Sequence, residues 1–175
     1  VIGLHSDGSV VVDCLVEDRP ACDVGEWDDI IDISASVGHT LGLKSDGTAV
    51  AAGNSLGEGN VSEWSDIVSV EAAPGCSFGV TSDGTVVYTG KTDWKTGKSD
   101  LDEYNFSEWT DIQLITASNN VYAGLKDDGT VVVVDKYPIL AEKTAEWEDI
   151  IMISAGEDYI AALTPEGDIL VEDIH

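Results

Sequence analysis

One tetrapeptide, Trp-x-Asp-Ile, occurs four times in this chain of 175 residues. Its copies begin at Trp27, Trp64, Trp109 and Trp147, which are 37, 45 and 38 residues apart. A second phrase built on Asp-Gly keeps the same spacing; its copies are Ser6-Asp7-Gly8-Ser9, Ser45-Asp46-Gly47-Thr48, Ser82-Asp83-Gly84-Thr85, Asp127-Asp128-Gly129-Thr130 and the divergent Pro165-Glu166-Gly167-Asp168. Two markers in step at this period indicate an array of similar modules, each covering its apolar face with its neighbour.

Each module is predicted to consist of β-strands. In the second module, residues 30–35 alternate between apolar and polar, and residues 39–43 and 49–52 are two further apolar segments. Alternation with a period of two is typical of strands. Ser45-Asp46-Gly47-Thr48 predicts a tight hairpin, and we expect a type I′ turn there because Asp-Gly accepts its positive φ angles. The polar segment 54–63 leaves room for a short fourth strand.

The third apolar segment of several modules, such as residues 131–134, is apolar at every position. A strand of this kind is covered on both faces, whereas a two-layer sandwich would leave one face polar. Solenoids wind parallel strands without tight hairpins, so the Asp-Gly turns favour a propeller. We therefore predict an all-β propeller of repeated four-stranded antiparallel blades, with about four to five blades in this chain.

The phrases Ile-x-x-Ile-Ser-Ala, His-Thr, Gly-Leu-Lys-Ser-Asp-Gly-Thr and Trp-x-Asp-Ile together resemble the regulator of chromosome condensation repeat in its short bacterial form. The resemblance covers essentially the whole chain and implies a β-propeller with four-stranded blades, commonly seven of them. The histidine of that repeat is present only as His39, and the equivalent positions hold Cys76, Val121 and Tyr159. Gly53 and Gly90 close the third strand in two repeats, where the others have Cys14, Asp135 and Asp173.

The repeat boundaries divide the single domain 1–175 into 1–27 (partial), 28–64, 65–109, 110–147 and 148–175 (partial). Four or five modules, incomplete at both ends, do not add up to a seven-bladed ring. We expect the chain to be part of a longer propeller; the alternative is that several chains self-associate through open blade ends to close one ring. Open ends would expose sheet edges and faces.

The charge balance excludes some partners. Eight basic and 34 acidic residues give a net charge of −26. Such a surface repels phosphate backbones, so we expect neither nucleic acid nor an anionic membrane as a partner, and no apolar run approaches the roughly 18 residues of a membrane span. Cationic partners or divalent ions suit it better. Cys14 and Cys22 either form a disulfide, if the protein is exported, or are free thiols like Cys76.

The titratable residues give no catalytic motif. The histidines are His5, His39 and His175, without metal-ligand spacing, and no nucleophile elbow, phosphate loop or dinucleotide fingerprint is present. We therefore expect no catalytic residues and no enzyme. His39 occupies a repeat position and is predicted to form a hydrogen bond between blades.

The residues of the repeated phrases are predicted to be structural. Asp29, Asp66, Asp111 and Asp149, with Asp28 beside the first, recur once per module and could ring one face, which leaves a weak possibility of calcium. More simply, each carboxylate accepts backbone N–H groups at the turn before its strand. We expect no metal and no cofactor. The four tryptophans are predicted to pack between blades, and Gly47, Gly84 and Gly129 to form hairpin turns.

The third repeat is longer than the others, and the extra residues fall at 91–98. This segment contains Lys91, Asp93, Trp94, Lys95 and Lys98, and Trp94 is the one tryptophan outside the repeated phrase. Loops carry function on rigid scaffolds, and tryptophan is enriched at binding hot spots. We predict a partner-binding loop here, although a plain hairpin extension with solubilising lysines also fits.

The resemblance implies protein–protein interaction. We therefore predict a non-catalytic scaffold for a protein partner, in a bacterial protein; the alternative is a carbohydrate-binding or adhesive module of an exported surface protein, for which Trp94 is the candidate platform. The sequence leaves the compartment open, with an exported or cell-surface location slightly favoured over the cytoplasm.

Overall fold

A computed structural model describes residues 1–13, 20–53, 57–91, 99–136 and 138–175. These residues form five small antiparallel sheets and almost no helix. The strands are β1 (Ile2–Leu4), β2 (Val10–Val12), β3 (Ile30–Ala35), β4 (Thr40–Lys44), β5 (Ala49–Ala52), β6 (Ile67–Ala73), β7 (Cys76–Thr81), β8 (Val86–Gly90), β9 (Ile112–Ala117), β10 (Val121–Lys126), β11 (Val131–Asp135), β12 (Met152–Ala155), β13 (Tyr159–Leu163) and β14 (Ile169–Asp173). The single α-helix of the described residues is α1 (Leu140–Lys143).

The sheets follow the chain in order. The first contains β1 and β2, and the second to fifth contain β3–β5, β6–β8, β9–β11 and β12–β14, each with its middle strand paired to both neighbours. The strands β3, β6, β9 and β12 contact one another in sequence, so the sheets are stacked side by side. The predicted all-β class with small antiparallel sheets is confirmed.

The predicted fourth strand of each blade is not formed among the described residues. The complete sheets have three strands, and the connections between them contain short 3-10 helices at Pro20–Cys22, Asp100–Tyr104 and Phe106–Glu108 as well as α1. Local capping explains the turns. The Ser99 side chain accepts the N–H of Leu101, and Asn105 has a φ of 51°, which an extended strand does not tolerate.

The Asp-Gly hairpins are also not of the predicted type. A type I′ turn needs positive φ at two residues, but in the second sheet only Gly47, at 82°, has one. The N–H of Gly47 donates to Lys44 O and the N–H of Lys44 donates to Thr48 O, which closes a three-residue loop. Glycine therefore supplies the single left-handed position that follows a type I turn in such loops.

Four apolar clusters fill the spaces between successive sheets, and each contains one tryptophan of the repeated phrase. Trp109, for example, packs with Phe78 and Val80 of the third sheet and with Ile112 and Tyr122 of the fourth. Trp109 and Trp147 are buried, and Trp27 and Trp64 are half-buried. The tryptophans therefore lie between the sheets.

Three of the four tryptophans lie on a glycine in the middle strand of their own sheet. A Cβ added to Gly124 would lie 3.0 Å from Cε3 and Cζ3 of Trp109. Gly42 and Gly79 stand in the same relation to Trp27 and Trp64. The indole ring can approach the backbone so closely because no side chain intervenes.

Main-chain hydrogen bonds join the first four Asp-Gly hairpins to the repeat that follows each of them. The N–H of Ile67 donates to Gly47 O at 2.9 Å, and the pairs Ile30–Gly8, Ile112–Gly84 and Ile150–Gly129 repeat this bond at 3.0–3.2 Å. These links use no side-chain atoms. They fix the Asp-Gly hairpins and the Trp-x-Asp-Ile turns on the same face of the stack, which we call the hairpin face.

Side chains of the first strands add further links between sheets. The N–H of Ala72 donates to Ser34 Oγ at 2.9 Å, and Ser34 Oγ donates to Glu71 Oε2 at 3.0 Å. The N–H of Ala117 donates to Glu71 Oε1 at 3.2 Å. The Glu71 carboxylate therefore links three sheets. Burial partly desolvates its charge and raises its pKa.

Candidate functional site

The hairpin face carries most of the repeated carboxylates. The hairpins present Asp7, Asp46, Asp83, Asp127, Asp128, Glu166 and Asp168, and the Trp-x-Asp-Ile turns present Asp28, Asp29, Asp66, Asp111, Glu148 and Asp149. Lys44 and Lys126 stand at the base of two hairpins, and Lys44 pairs with Asp28 at 2.7 Å. Negative charge therefore dominates this surface.

Hydrogen bonds hold the hairpin carboxylates in place. Asp46 Oδ1 accepts the Oγ1–H of Thr48 at 2.6 Å and its N–H at 3.0 Å, and Asp128 makes the same bonds with Thr130. The Thr48 hydroxyl, and then its N–H, lower the pKa of Asp46, and Ser9 does the same for Asp7. The hairpins thus present oriented, ionised carboxylates to solvent.

The turn aspartates contribute through their backbone. Asp29, Asp66, Asp111 and Asp149 all have φ between 55° and 62°, in the left-handed region that aspartate tolerates better than most residues. The described side-chain bonds of Asp66 and Asp111 come from the neighbouring hydroxyls of Ser65 and Thr110. We predicted that these carboxylates accept backbone N–H groups, but the described hydrogen bonds do not include such contacts. The four carboxylates are exposed on the hairpin face.

Two grooves on the hairpin face are lined by these carboxylates. A groove of about 330 Å³ lies between the last two hairpins and is lined by Gln113, Asp127, Asp128 and Asp149. A second, of about 310 Å³, is lined by Glu63, Asp66, Asp83 and Trp64. A lining that combines carboxylates with apolar side chains suits the aliphatic stem and charged head of lysine or arginine.

The remaining polar residues of the repeats are internal. His39 is fully buried, and its Nε2 lies 2.8 Å from Ser77 Oγ in the next sheet, which matches the predicted hydrogen bond between blades. Ser77 Oγ in turn donates to Glu58 O at 2.6 Å. Burial lowers the pKa of His39, and its Nδ1 has no hydrogen-bond partner in the described part of the chain. A buried neutral histidine of this kind is a structural residue.

A third groove, of about 440 Å³, lies beside the 3-10 helices of the lengthened third repeat. Tyr104, Trp109, Glu103, Glu108 and Pro138 line it. Sequence reasoning missed it because its walls come from two repeats, and the phrase that contains Trp109 predicted packing between blades and not a groove. Its lining also combines aromatic side chains with carboxylates, here contributed by the connecting segments.

The predicted partner-binding loop falls largely outside the described residues, which omit Asp93, Trp94, Lys95 and Lys98. Lys91 is described: it has a φ of 48°, donates to Tyr122 Oη and lies 5.0 Å from the centre of that ring. Lys91 is thus anchored at the base of the loop, and the loop stays a prediction.

The cysteines differ in state. Cys22 is disulfide-bonded, whereas Cys76 is a buried free thiol whose pKa is raised by burial to about 11. Cys14 lies outside the described residues. Within the described ranges, no group of three or more His, Cys, Asp or Glu side chains could hold a metal ion, and no helix has the length and apolar content to span a bilayer.

Known proteins of this architecture match the stack of sheets. Human WBSCR16 superposes with a TM-score of 0.61 and 17% identity, over 86% of this chain and 48% of its own. Prp20p from Saccharomyces cerevisiae, the yeast RCC1, has a TM-score of 0.60 and 15% identity, over 83% of this chain and 44% of its own. The chain has an RCC1-like β-propeller fold.

The resemblance found in the repeat phrases is therefore confirmed at the level of fold, and each sheet is a blade. The RCC1-like chain described here spans about half the length of the first solved structures that it matches. The computationally designed Ika4 protein is more similar in size, with a TM-score of 0.50 and 17% identity, over 83% of this chain and 91% of its own. No family profile and no curated protein matches the sequence.

Proposed function

We propose that this chain is a non-catalytic propeller scaffold of a bacterial protein, and that it binds a basic segment of a protein partner across its hairpin face. The observation that carries the proposal is the fixed row of carboxylates on that face. Rigid hairpins present them, and two acid-lined grooves lie between them. Charge complementarity of this kind accelerates association and selects the partner.

Two further observations support protein binding. Prp20p, which shares the fold, has binding properties towards Gsp1p and histones, and yeast RCC1 binds Kap60. The net charge of −26 favours a cationic partner over an anionic one. Lysine and arginine side chains fit grooves that are lined by both carboxylates and apolar side chains.

The test measures the binding of a synthetic lysine- and arginine-rich peptide. Isothermal titration calorimetry gives the dissociation constant at low and at physiological ionic strength. The triple variant Asp66→Asn, Asp111→Asn, Asp149→Asn removes three charges from the hairpin face. Asparagine also tolerates the left-handed backbone of these turns, so the fold is kept. We expect binding to weaken by about tenfold or more, because Asp149 and Asp66 line the two grooves and Asp111 lies on the same face.

A matched control removes the same number of charges elsewhere. Asp23→Asn, Glu142→Gln and Glu157→Gln alter exposed residues outside the hairpin face. We expect this variant to bind the peptide nearly as well as the wild type. Equal weakening by both variants would show that the peptide responds only to net charge, which contradicts a site on the hairpin face.

The disulfide at Cys22 favours an exported or cell-surface location within this proposal, because disulfides persist in oxidising compartments. The alternative function, a carbohydrate-binding or adhesive module, depends on Trp94, which lies outside the described residues. A glycan array probed with the wild type and with Trp94→Ala would separate the two. Loss of a glycan signal in the variant would favour the alternative.

A further inference from the structure

The groove beside the 3-10 helices of the third repeat, which we call the Tyr104 groove, is lined mainly by aromatic and apolar side chains. Six of its ten lining residues are of this kind: Tyr104, Trp109, Val133, Val134, Pro138 and Ala141. Its volume of about 440 Å³ falls in the range of sites for small organic molecules. It shares no lining residue with the two grooves of the hairpin face, so it is a separate candidate site.

Tyr104 is not part of the repeated pattern. It stands five residues before the tryptophan of its phrase, where the other repeats have Cys22, Gly59 and Glu142. A glutamate stands directly before the tryptophan in all four copies, so Glu108 does follow the pattern. The other blades pack without an aromatic residue at the position of Tyr104, and the shared packing therefore does not account for this tyrosine.

Neighbouring rings hold the two aromatic walls of the groove in place. The ring centre of Tyr104 lies 5.1 Å from that of Tyr122 and 6.0 Å from that of Phe106. Phe106 is fully buried, and its ring centre also lies 5.0 Å from that of Trp109 in an edge-on arrangement. One core residue thus contacts both rings that line the groove. A site formed in advance lowers the ordering cost of binding.

Negative charge lies close to the tyrosine ring. Glu103 and Glu108 line the groove and are exposed, and Asp135 lines it at 6% exposure. Burial raises the pKa of Tyr104, and the carboxylates of Glu103, Asp100 and Asp135 raise it further because they disfavour a phenolate. No lysine or arginine belongs to the lining that the structure describes. The groove therefore attracts a cation.

A cation with an apolar surface fits this lining better than an ordinary one. A lysine ammonium carries three N–H donors, and each needs an acceptor when it leaves water. A quaternary ammonium group has the same charge without an N–H, and its methyl groups pack against apolar and aromatic walls. The faces of tyrosine and tryptophan rings attract such a charge.

We infer that the Tyr104 groove binds a quaternary ammonium group. Tyr104 and Trp109 provide the aromatic walls. Glu103 and Glu108 balance the charge. A free small molecule and a trimethylated lysine of a protein present the same chemistry to this groove, and the experiment separates them. The site does not depend on the proposed binding of a basic segment at the hairpin face.

The experiment titrates the wild-type chain with choline, with the uncharged alcohol in which a carbon atom replaces the choline nitrogen, and with potassium ion, all at constant ionic strength. Two-dimensional NMR of the indole N–H groups follows binding. Trp109 is the local reporter, and Trp27, packed between the first two sheets, is the remote control. We expect choline to bind at least about tenfold more tightly than the uncharged alcohol, because only choline gains the cation–π attraction. Potassium should leave both indole signals unchanged.

Two pairs of variants locate the site. Tyr104→Leu keeps an apolar side chain but loses the ring, and we expect choline binding to weaken by about tenfold, whereas Tyr104→Phe should stay within about threefold of the wild type. The uncharged alcohol should bind Tyr104→Leu as it binds the wild type, which shows that the groove persists. Glu108→Gln should weaken choline binding by about threefold. Glu63→Gln, at the same position of the preceding repeat and outside this groove, is its control and should change nothing.

A peptide with one trimethyl-lysine, compared with the same peptide unmodified, identifies the source of the group. Tighter binding of the trimethylated peptide than of choline would point to a protein side chain, and the reverse order would point to a free small molecule.

Three results would overturn the inference. Equal affinity for choline and the uncharged alcohol would mean that the groove does not recognise charge. A Trp109 shift that potassium reproduces would mean that only the net charge of the surface acts. Absence of choline binding at millimolar concentrations, in the wild type, would leave the groove without this ligand. None of these results bears on the peptide titration of the hairpin face, so the two proposals fail separately.

Discussion

The contact between Trp109 and Gly124 leads to a quantitative prediction for Gly124→Ala. The new Cβ would lie 2.9 Å from Ile112 Cδ1 and 3.0 Å from Trp109 Cε3. Carbon atoms prefer about 3.5–4.0 Å, so the methyl group overlaps both neighbours by roughly 0.5–1 Å. Overpacking of this kind costs about 1–3 kcal/mol, and the more restricted unfolded chain returns about 0.4–1 kcal/mol. We therefore expect a net loss of about 1–2 kcal/mol.

The assay is urea unfolding followed by tryptophan fluorescence, which reports directly on the spaces between the sheets. The control is Gly3→Ala, at the same position of the first sheet. Its Cβ would meet only Val11 Cγ2, at 3.5 Å, and no tryptophan lies over it. We expect Gly3→Ala to be neutral or slightly stabilising. If the two variants had the same free energy of unfolding, the steric role of the glycine under the indole would be refuted.

Three further predictions concern the turn, the buried histidine and the buried carboxylate. Asp111→Val should lose about 1–2 kcal/mol in thermal unfolding, because a β-branched residue resists φ of 62°, while Asp111→Asn should change little; equal losses would contradict the backbone role. Because burial lowers the pKa of His39, its stabilising contribution is present above the ordinary histidine pKa and is lost as the pH falls. The stability advantage of the wild type over His39→Gln should therefore shrink between pH 7 and pH 5 in urea titrations, and a constant difference would argue against a buried neutral imidazole. Burial raises the pKa of Glu71, so its contribution is present at low pH and is lost as the pH rises; Glu71→Gln should thus gain stability relative to the wild type from pH 4 to pH 7, and a relative loss would mean that its hydrogen bonds dominate.

The features that sequence predicted well are local ones. The Asp-Gly phrases and their divergent fifth copy marked the hairpin between the last two strands of each sheet, and the Trp-x-Asp-Ile phrases marked the entry to every complete sheet. Both phrases mark backbone conformations that few residue types adopt. They can therefore be recognised without knowledge of the tertiary structure. Their period then fixed the array, and the apolar third segments indicated stacked sheets.

The details that sequence did not predict depend on register or on a partner. The hairpin type follows from the pairing of Lys44 with Thr48, which composition does not reveal. The role of Asp66 was assigned to its side chain, although its backbone is the constrained part. Glu71 gave no signal, because its importance comes from Ser34 and Ala117 in two other sheets. The carboxylates of the hairpin face were visible as repeats, but the grooves between them were not.

The hydrogen bonds between each hairpin glycine and the next isoleucine have an evolutionary consequence. Their donors and acceptors are main-chain atoms, such as Ile112 N and Gly84 O; every residue supplies the carbonyl oxygen, and every residue except proline supplies the N–H. Exposed positions of a repeat can therefore change identity without loosening its attachment to the neighbours. A stack joined in this way keeps its packing while its outer surface diversifies towards new partners.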